Sequence, residues 1–297
     1  MPPAGDAGAG PRDAGPVRPE EGAVVTLRQL PHELLGDPEF LRRFRAEAQI
    51  VAHLDPTYVV RTRAHMEDPF GLALISDYVE GAALQRMLPG VTAGNLEAAL
   101  VVARDVLLGL ETAHREGILH RDLQPAKIVV DRHGISRVAD LGLVARTPSR
   151  RWLPGTPEYL APELWAGEPS SIASDLYAAG CVLVECLTGN PPYAGGLARL
   201  RDLHAAGPPP VRDLPPEVAR MVAIAMARRP GERHARAWDF AQDVEEVGRS
   251  LAGTGWERRG RRHLAAHVAV ALFPRGGDDE PPRGLIGRAR ALRRTRS

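Results

Sequence analysis

"ILHRDLQPAKIVV", residues 118–130, decides the reading of this chain. It is an apolar run, a charged turn and a second apolar run. The turn sets His120, Arg121 and Asp122 side by side, and Lys127 follows five residues after the aspartate. Lys127 is the only lysine in 297 residues; every other strongly basic side chain is arginine. Asp122 looks like a catalytic aspartate, since a carboxylate can accept a proton at hydrogen-bond distance. The ammonium beside it has three donors and no acceptor, so it cannot ligate a metal.

Bulk composition bounds the alternatives. The chain is long enough for one large domain or two lobes with a sizeable core. Apolar residues make up 44% and charged residues 25%, ordinary for a globular protein. A net charge of +1 removes any whole-chain electrostatic case for a nucleic-acid partner. No apolar run approaches the ~20 residues that span a bilayer. The N-terminus lacks the basic region and apolar run of a secretory signal. Cys181 and Cys186 sit five apart in an apolar, helical-looking segment and read as buried free thiols rather than a disulfide or metal pair. These features point to the cytoplasm. The Arg- and Ala-rich, Lys-poor composition points to a GC-rich bacterial genome.

Four regions follow along the chain. Residues 1–22 are Pro, Gly, Ala and charge, with too little apolar surface to offset ordering entropy, and are expected to be disordered. Residues 23–79 read as strand, helix and two more strands. "AVVTLRQL" is rich in β-branched residues; Asp37 caps a helix with Pro38 in its first turn, and Phe40, Phe44, Ala48 and Val51 recur at helical spacing. Residues 80–251 are mostly helical. A long amphipathic helix ends at Gly117, a hairpin turns at Asp131–Gly134, and an apolar helix covers "SIASDLYAAGCVLVECLTG". Residues 252–297 form an Arg-rich tail, with eleven arginines against four acids from residue 257 onward. The tail is either solvated or, over "RRGRRHLAAHVAVALF", an amphipathic helix docking on the second lobe or on an anionic surface such as a membrane.

"HRDLQPAK", then "ADLG", then "GTPEYLAPE", resembles the eukaryotic-type serine/threonine protein kinase family, from about Val25 to Leu251. Spacing carries the resemblance: 18 residues separate Asp122 from Asp140, and 23 separate Asp140 from Glu163. It implies an α+β, two-lobed protein kinase-like fold, with a truncated strand-rich N-lobe and a helical C-lobe. It also implies ATP and magnesium as cofactors. By the same resemblance Asp122 positions the substrate hydroxyl, and Asp140 holds magnesium through its oxygens. Glu47 is the helix glutamate of the ion pair. Asp77 and Val79 belong to the hinge facing adenine, and Ser76 guards the back pocket. Arg233 pairs with Glu163. Thr147 and Ser149 sit where activation-loop phosphorylation is common, and Thr156 positions substrate or packs.

The chain departs from the family where the chemistry is done. The second metal ligand, an asparagine, is here Lys127, and the lysine two residues after the aspartate is Gln124. The phosphate-binding lysine maps to Arg28, 19 residues ahead of Glu47. Arginine keeps the charge but not the compact geometry. No Gly-rich loop with strand context precedes Arg28; Gly8, Gly10 and Gly15 lack flanking strand formers, so either the chain begins after the loop or the true start lies upstream. Lys127 then has two functional readings. It supplies charge at the metal position, so that nucleotide binds with little magnesium, or it bridges Asp122 or Asp140 and closes the site. The alternative is a freed position filled by drift. The expectation is a signalling pseudokinase with impaired or absent phosphotransfer and a regulatory protein partner. Its rivals are an active Ser/Thr kinase acting on protein substrates and an interaction module with no nucleotide site.

Overall fold

The computed structural model describes residues 24–30, 37–68, 71–91, 95–142, 155–209, 211 and 213–272. Strand β1 (Val25–Leu30) is followed by helix α1 (Pro38–Val51), then β2 (Thr62–Asp68) and β3 (Gly71–Asp77). Asp37 accepts from the amides of Glu39 and Phe40, and Pro38 opens the helix without wasting a donor. Phe40, Phe44, Ala48 and Val51 are the buried face of α1, as their spacing predicts. The three strands form one antiparallel sheet in the order β1-β3-β2. Arg28 stands opposite Leu74 in that register. Leu30, Leu72 and Leu74 pack against Phe40 and Phe44 as a small core of their own.

The second lobe begins with β4 (Gly81–Ala83), α2 (Leu84–Val91) and α3 (Leu96–Arg115). Asn95 caps α3 by accepting from the amide of Ala98. Strands β5 (Ile128–Asp131) and β6 (Ser136–Val138) form the expected hairpin, and the second sheet runs β4-β5-β6. Helices α4 (Pro162–Trp165), α5 (Ile172–Thr188), α6 (Leu197–Ala206), α7 (Pro216–Ala225) and α8 (Ala237–Ala252) complete the helical body. The large core forms around α3, α5, α7 and α8. It also takes in Val51, Leu54 and Val59, so the stretch after α1 is anchored in the second lobe. Val60 donates to the carbonyl of Val138 (2.8 Å), and Val138 donates to that of Tyr58 (2.9 Å). Cys181 and Cys186 are buried and unbridged.

Of the two readings of the tail, the structure has the docked helix over residues 256–272: helix α9 (Trp256–Leu272), whose Trp256, Gly260, Leu264 and Val268 are buried. Arg261 grips Asp105 of α3 with both nitrogens (2.8 and 2.9 Å), and Arg259 holds Glu97 (2.7 Å). A Cβ at Gly260 would lie 2.6 Å from the carbonyl oxygen of Glu97, so glycine permits the close docking. Among the described residues, no helix is long and apolar enough to cross a membrane. The stretches 1–23, which include Gly8, Gly10 and Gly15, and 273–297 lie outside the described residues.

Candidate active site

The turn quoted at the outset is held from below by one buried carboxylate. Asp175, near the start of α5, accepts from the backbone amides of His120 (2.8 Å) and Arg121 (2.9 Å). The ring of His114, near the end of α3, donates to the same carboxylate (2.9 Å). Burial pushes the Asp175 carboxyl up, but these bonds outweigh it and leave it below the usual range. Burial also holds His120 below the ordinary histidine value. The anchoring lets Arg121 adopt φ 69°, a left-handed conformation that a non-glycine residue takes only when its surroundings impose it. Sequence reasoning gave no role to His114 or Asp175. "SDLYAAG" was the available signal, but a capping role for Asp175 is visible only once α5 lies under the turn.

Asp122 projects from this turn with both carboxylate oxygens engaged. Thr156 donates to its Oδ1 from both the amide (2.7 Å) and the hydroxyl (2.9 Å). Gln124 approaches both oxygens at 3.4 Å and also donates to the Thr156 hydroxyl. Lys127 makes a salt bridge to Oδ2, and its side chain is only 7% exposed. A carboxylate offers about four lone-pair sites. This chain's own donors therefore satisfy the group that would accept a substrate proton. Of the two functional readings of Lys127, the structure has the salt bridge to Asp122.

Asp140 lies just past β6, with φ 61°. It is paired with Arg28 from β1 of the other lobe. The expected partner of Arg28, Glu47, is engaged elsewhere. Arg121 meets Glu47 with a planar fork, Nη1 to Oε2 at 2.8 Å and Nη2 to Oε1 at 2.7 Å. This two-point match pushes Arg121 above its ordinary value and engages both oxygens of Glu47. The pairing expected between Arg28 and Glu47 is thus replaced by two crossed pairs. Asp77 ends β3 with its carboxylate on Arg63 and its amide on the carbonyl of Arg61 (2.9 Å). Asp77, Tyr78 and Val79 line an open cavity of about 420 Å³ together with Val59, Val60 and Arg137. Thr147 and Ser149 lie outside the described residues.

The donor set does not fit a two-ligand magnesium site. Asp140 offers oxygens, but one of them is on a guanidinium, and the second position carries an ammonium. The expected pair between Glu163 and Arg233 is present. Arg233 holds Glu163 with two bonds of 2.7 Å, deep in the second lobe. The same guanidinium donates to the carbonyls of Ala227 and Ala173 and lies 4.8 Å over the Tyr177 ring.

Comparison with known proteins agrees with this frame. A family model described as the protein kinase domain matches residues 17–233. Serine/threonine-protein kinase PknL of Mycobacterium tuberculosis is 33% identical, over 84% of this chain and 65% of its own length. Serine/threonine-protein kinase PknA of the same organism is 30% identical, over 93% of this chain and 66% of its own. The chain thus spans just under two thirds of these relatives. The crystal structure of the PknI kinase domain from M. tuberculosis, a cysteine-to-alanine mutant, superposes with a TM-score of 0.58, covering 75% of this chain and 84% of that one at 24% identity.

Proposed function

The chain belongs to the protein kinase domain family, and from that premise we propose that it is a pseudokinase, a kinase-fold protein that has lost or greatly weakened phosphotransfer and acts by binding a protein partner in signalling. One observation carries the reading. Each of the two carboxylates that phosphotransfer needs is bound to a cation of the chain itself, Asp122 to Lys127 and Asp140 to Arg28. The family uses magnesium to bridge phosphate oxygens and neutralise developing charge. Here side chains do the neutralising, at fixed places and without open coordination sites. Removing one such transition-state contact typically costs about 10²–10³ in rate. The altered groups act as a unit, so their separate costs do not multiply.

The rival reading, an active Ser/Thr kinase, draws support from the names of the relatives and from the intact Glu163–Arg233 frame. A thermal shift with ATP, with and without magnesium, followed by a γ-phosphate transfer assay, separates the two. A ligand that binds only the folded state must raise the melting temperature. The pseudokinase reading expects no magnesium-dependent shift and no transfer in the natural chain, and a magnesium-dependent shift in Lys127→Asn. A magnesium-dependent shift with phosphate transfer in the natural chain would overturn it.

A further inference from the structure

The two crossed ion pairs also join the lobes. Arg28 and Glu47 belong to the first lobe, Asp140 and Arg121 to the second. Asp140 and Gly142, which carries a further acceptor of Arg121, bound a segment of three residues. Arg28 takes the Asp140 carboxylate at one end, and Arg121, already forked onto Glu47, reaches the carbonyl of Gly142 at the other (3.4 Å). Glu47 sits directly over that glycine: a Cβ at Gly142 would lie 2.8 Å from Glu47 Oε2. The φ of 72° at Gly142 disfavours any side chain as well.

The contacts behind the cleft differ in kind. There Val51, Leu54 and Val59 are embedded in the large core, which makes an apolar hinge. The small core of the first lobe, around Phe40 and Phe44, stays separate from it. The front of the cleft is therefore closed by charge and the back by packing. Within the front, Glu47, Asp122 and Asp140 are matched one to one by Arg121, Lys127 and Arg28. Among these six side chains, no uncompensated charge is left to pull in a cation or an anion.

We propose that Arg28 and Glu47 form an ionic latch that clamps the first lobe onto residues 140–142 and holds the cleft shut only while both pairs are made. Ionic strength and competing charge open it. The Arg28 pair, 48% exposed on the arginine side, yields first, and the less exposed Arg121–Glu47 fork yields second. This deepens the pseudokinase reading and rests on it for biological meaning, but its test uses no nucleotide, so the two fail separately.

The test is hydrogen exchange on the full chain at 50 mM and 1 M NaCl, comparing peptides over 128–142 with peptides of α5. In Glu47→Arg and in Arg121→Glu the 128–142 amides are expected to exchange about tenfold faster at low salt, as for a local opening, with α5 unchanged. The Glu47→Arg/Arg121→Glu swap should return them to within about threefold of the natural chain, since it restores the pair with its ends exchanged. Glu47→Gln, which keeps the shape and removes the charge, should behave as the single reversals do and guards against misfolding. High salt should accelerate the natural chain and leave Glu47→Gln unmoved. Equal exchange in all variants, or a swap as fast as the single reversals, overturns the latch.

Discussion

Two sets of ion pairs in this molecule differ in how far they keep the residues that the kinase resemblance implies. Glu163–Arg233, in the helical body, has at both ends the residues that the kinase resemblance implies. Asp140–Arg28 and Asp122–Lys127, in the cleft, keep the carboxylates and change their partners. The first pair is buried, with the guanidinium also satisfied by backbone carbonyls. The cleft pairs sit where a ligand would come and go. The difference teaches that the kinase frame depends on a charge pair being completed, whichever chemistry the cleft performs. The cleft can then exchange a metal ligand for an ammonium without disturbing the frame.

The comparison breaks most visibly at Arg233. Its side chain has 0% exposure and that of Glu163 has 5%. Arg233→Ala leaves a buried carboxylate without its partner and opens a space beside Tyr177. Breaking a buried pair from one side costs about 3–5 kcal/mol. Urea denaturation followed by circular dichroism should show a loss of that size. A loss of under about 1 kcal/mol, the range of exposed pairs, would mean that the frame does not rest on this one.

A second, smaller effect sharpens the picture of the frame. His204 of α6 accepts from the hydroxyl of Tyr177 (2.7 Å) at Nδ1, so its Nε2–H donates to the carbonyl of Pro157 (3.0 Å). That arrangement needs the neutral ring, and burial pushes the group down to about 4. The folded pKa is depressed, so the stability it contributes is present above about pH 6.5 and is lost as pH falls toward 4. At about 1.36 kcal/mol per unit, about 2 kcal/mol should be gone at about pH 5. Melting temperatures measured from neutral pH down to that point should fall in the natural chain and fall less in His204→Gln. Parallel slopes would remove His204 from the account.

Much of the frame was legible in residue patterns. Asp37, Pro38 and the Phe40, Phe44, Ala48 and Val51 stripe mark α1 because cap and period are local signals. The turn at Asp131–Gly134 is local in the same way. Helix α9 was harder to see, because its arginines look solvated until their acids are known. Arg261 finds Asp105, 156 residues earlier, and Arg259 finds Glu97, 162 residues earlier. No pattern within residues 252–297 encodes those partners. In the cleft, spacing pointed to Asp122, Lys127, Arg28, Glu47 and Asp140, but it could not say which cation holds which carboxylate. That outcome is a competition in space: Arg121 has a fork that fits Glu47 at two points, and Arg28 is left with Asp140. Residue types set the list of charges, and only tertiary placement assigns the pairs.

The smallest effect is expected at the pair that matters most to the proposed function. Arg28 is half exposed, and its partner Asp140 is reached across the mouth of the cleft. Exposed pairs contribute about 0.2–1 kcal/mol, because water screens them and long side chains lose freedom in making them. Arg28→Ala should therefore shift the urea midpoint only slightly, several times less than Arg233→Ala. Such a small cost is what lets a cation act as an occupant of the cleft rather than as a beam of the frame. A loss for Arg28→Ala as large as that for Arg233→Ala would erase the distinction between the two regions and make the cleft pair structural. A small loss joined to faster exchange over 128–142 would place its role in closing the cleft.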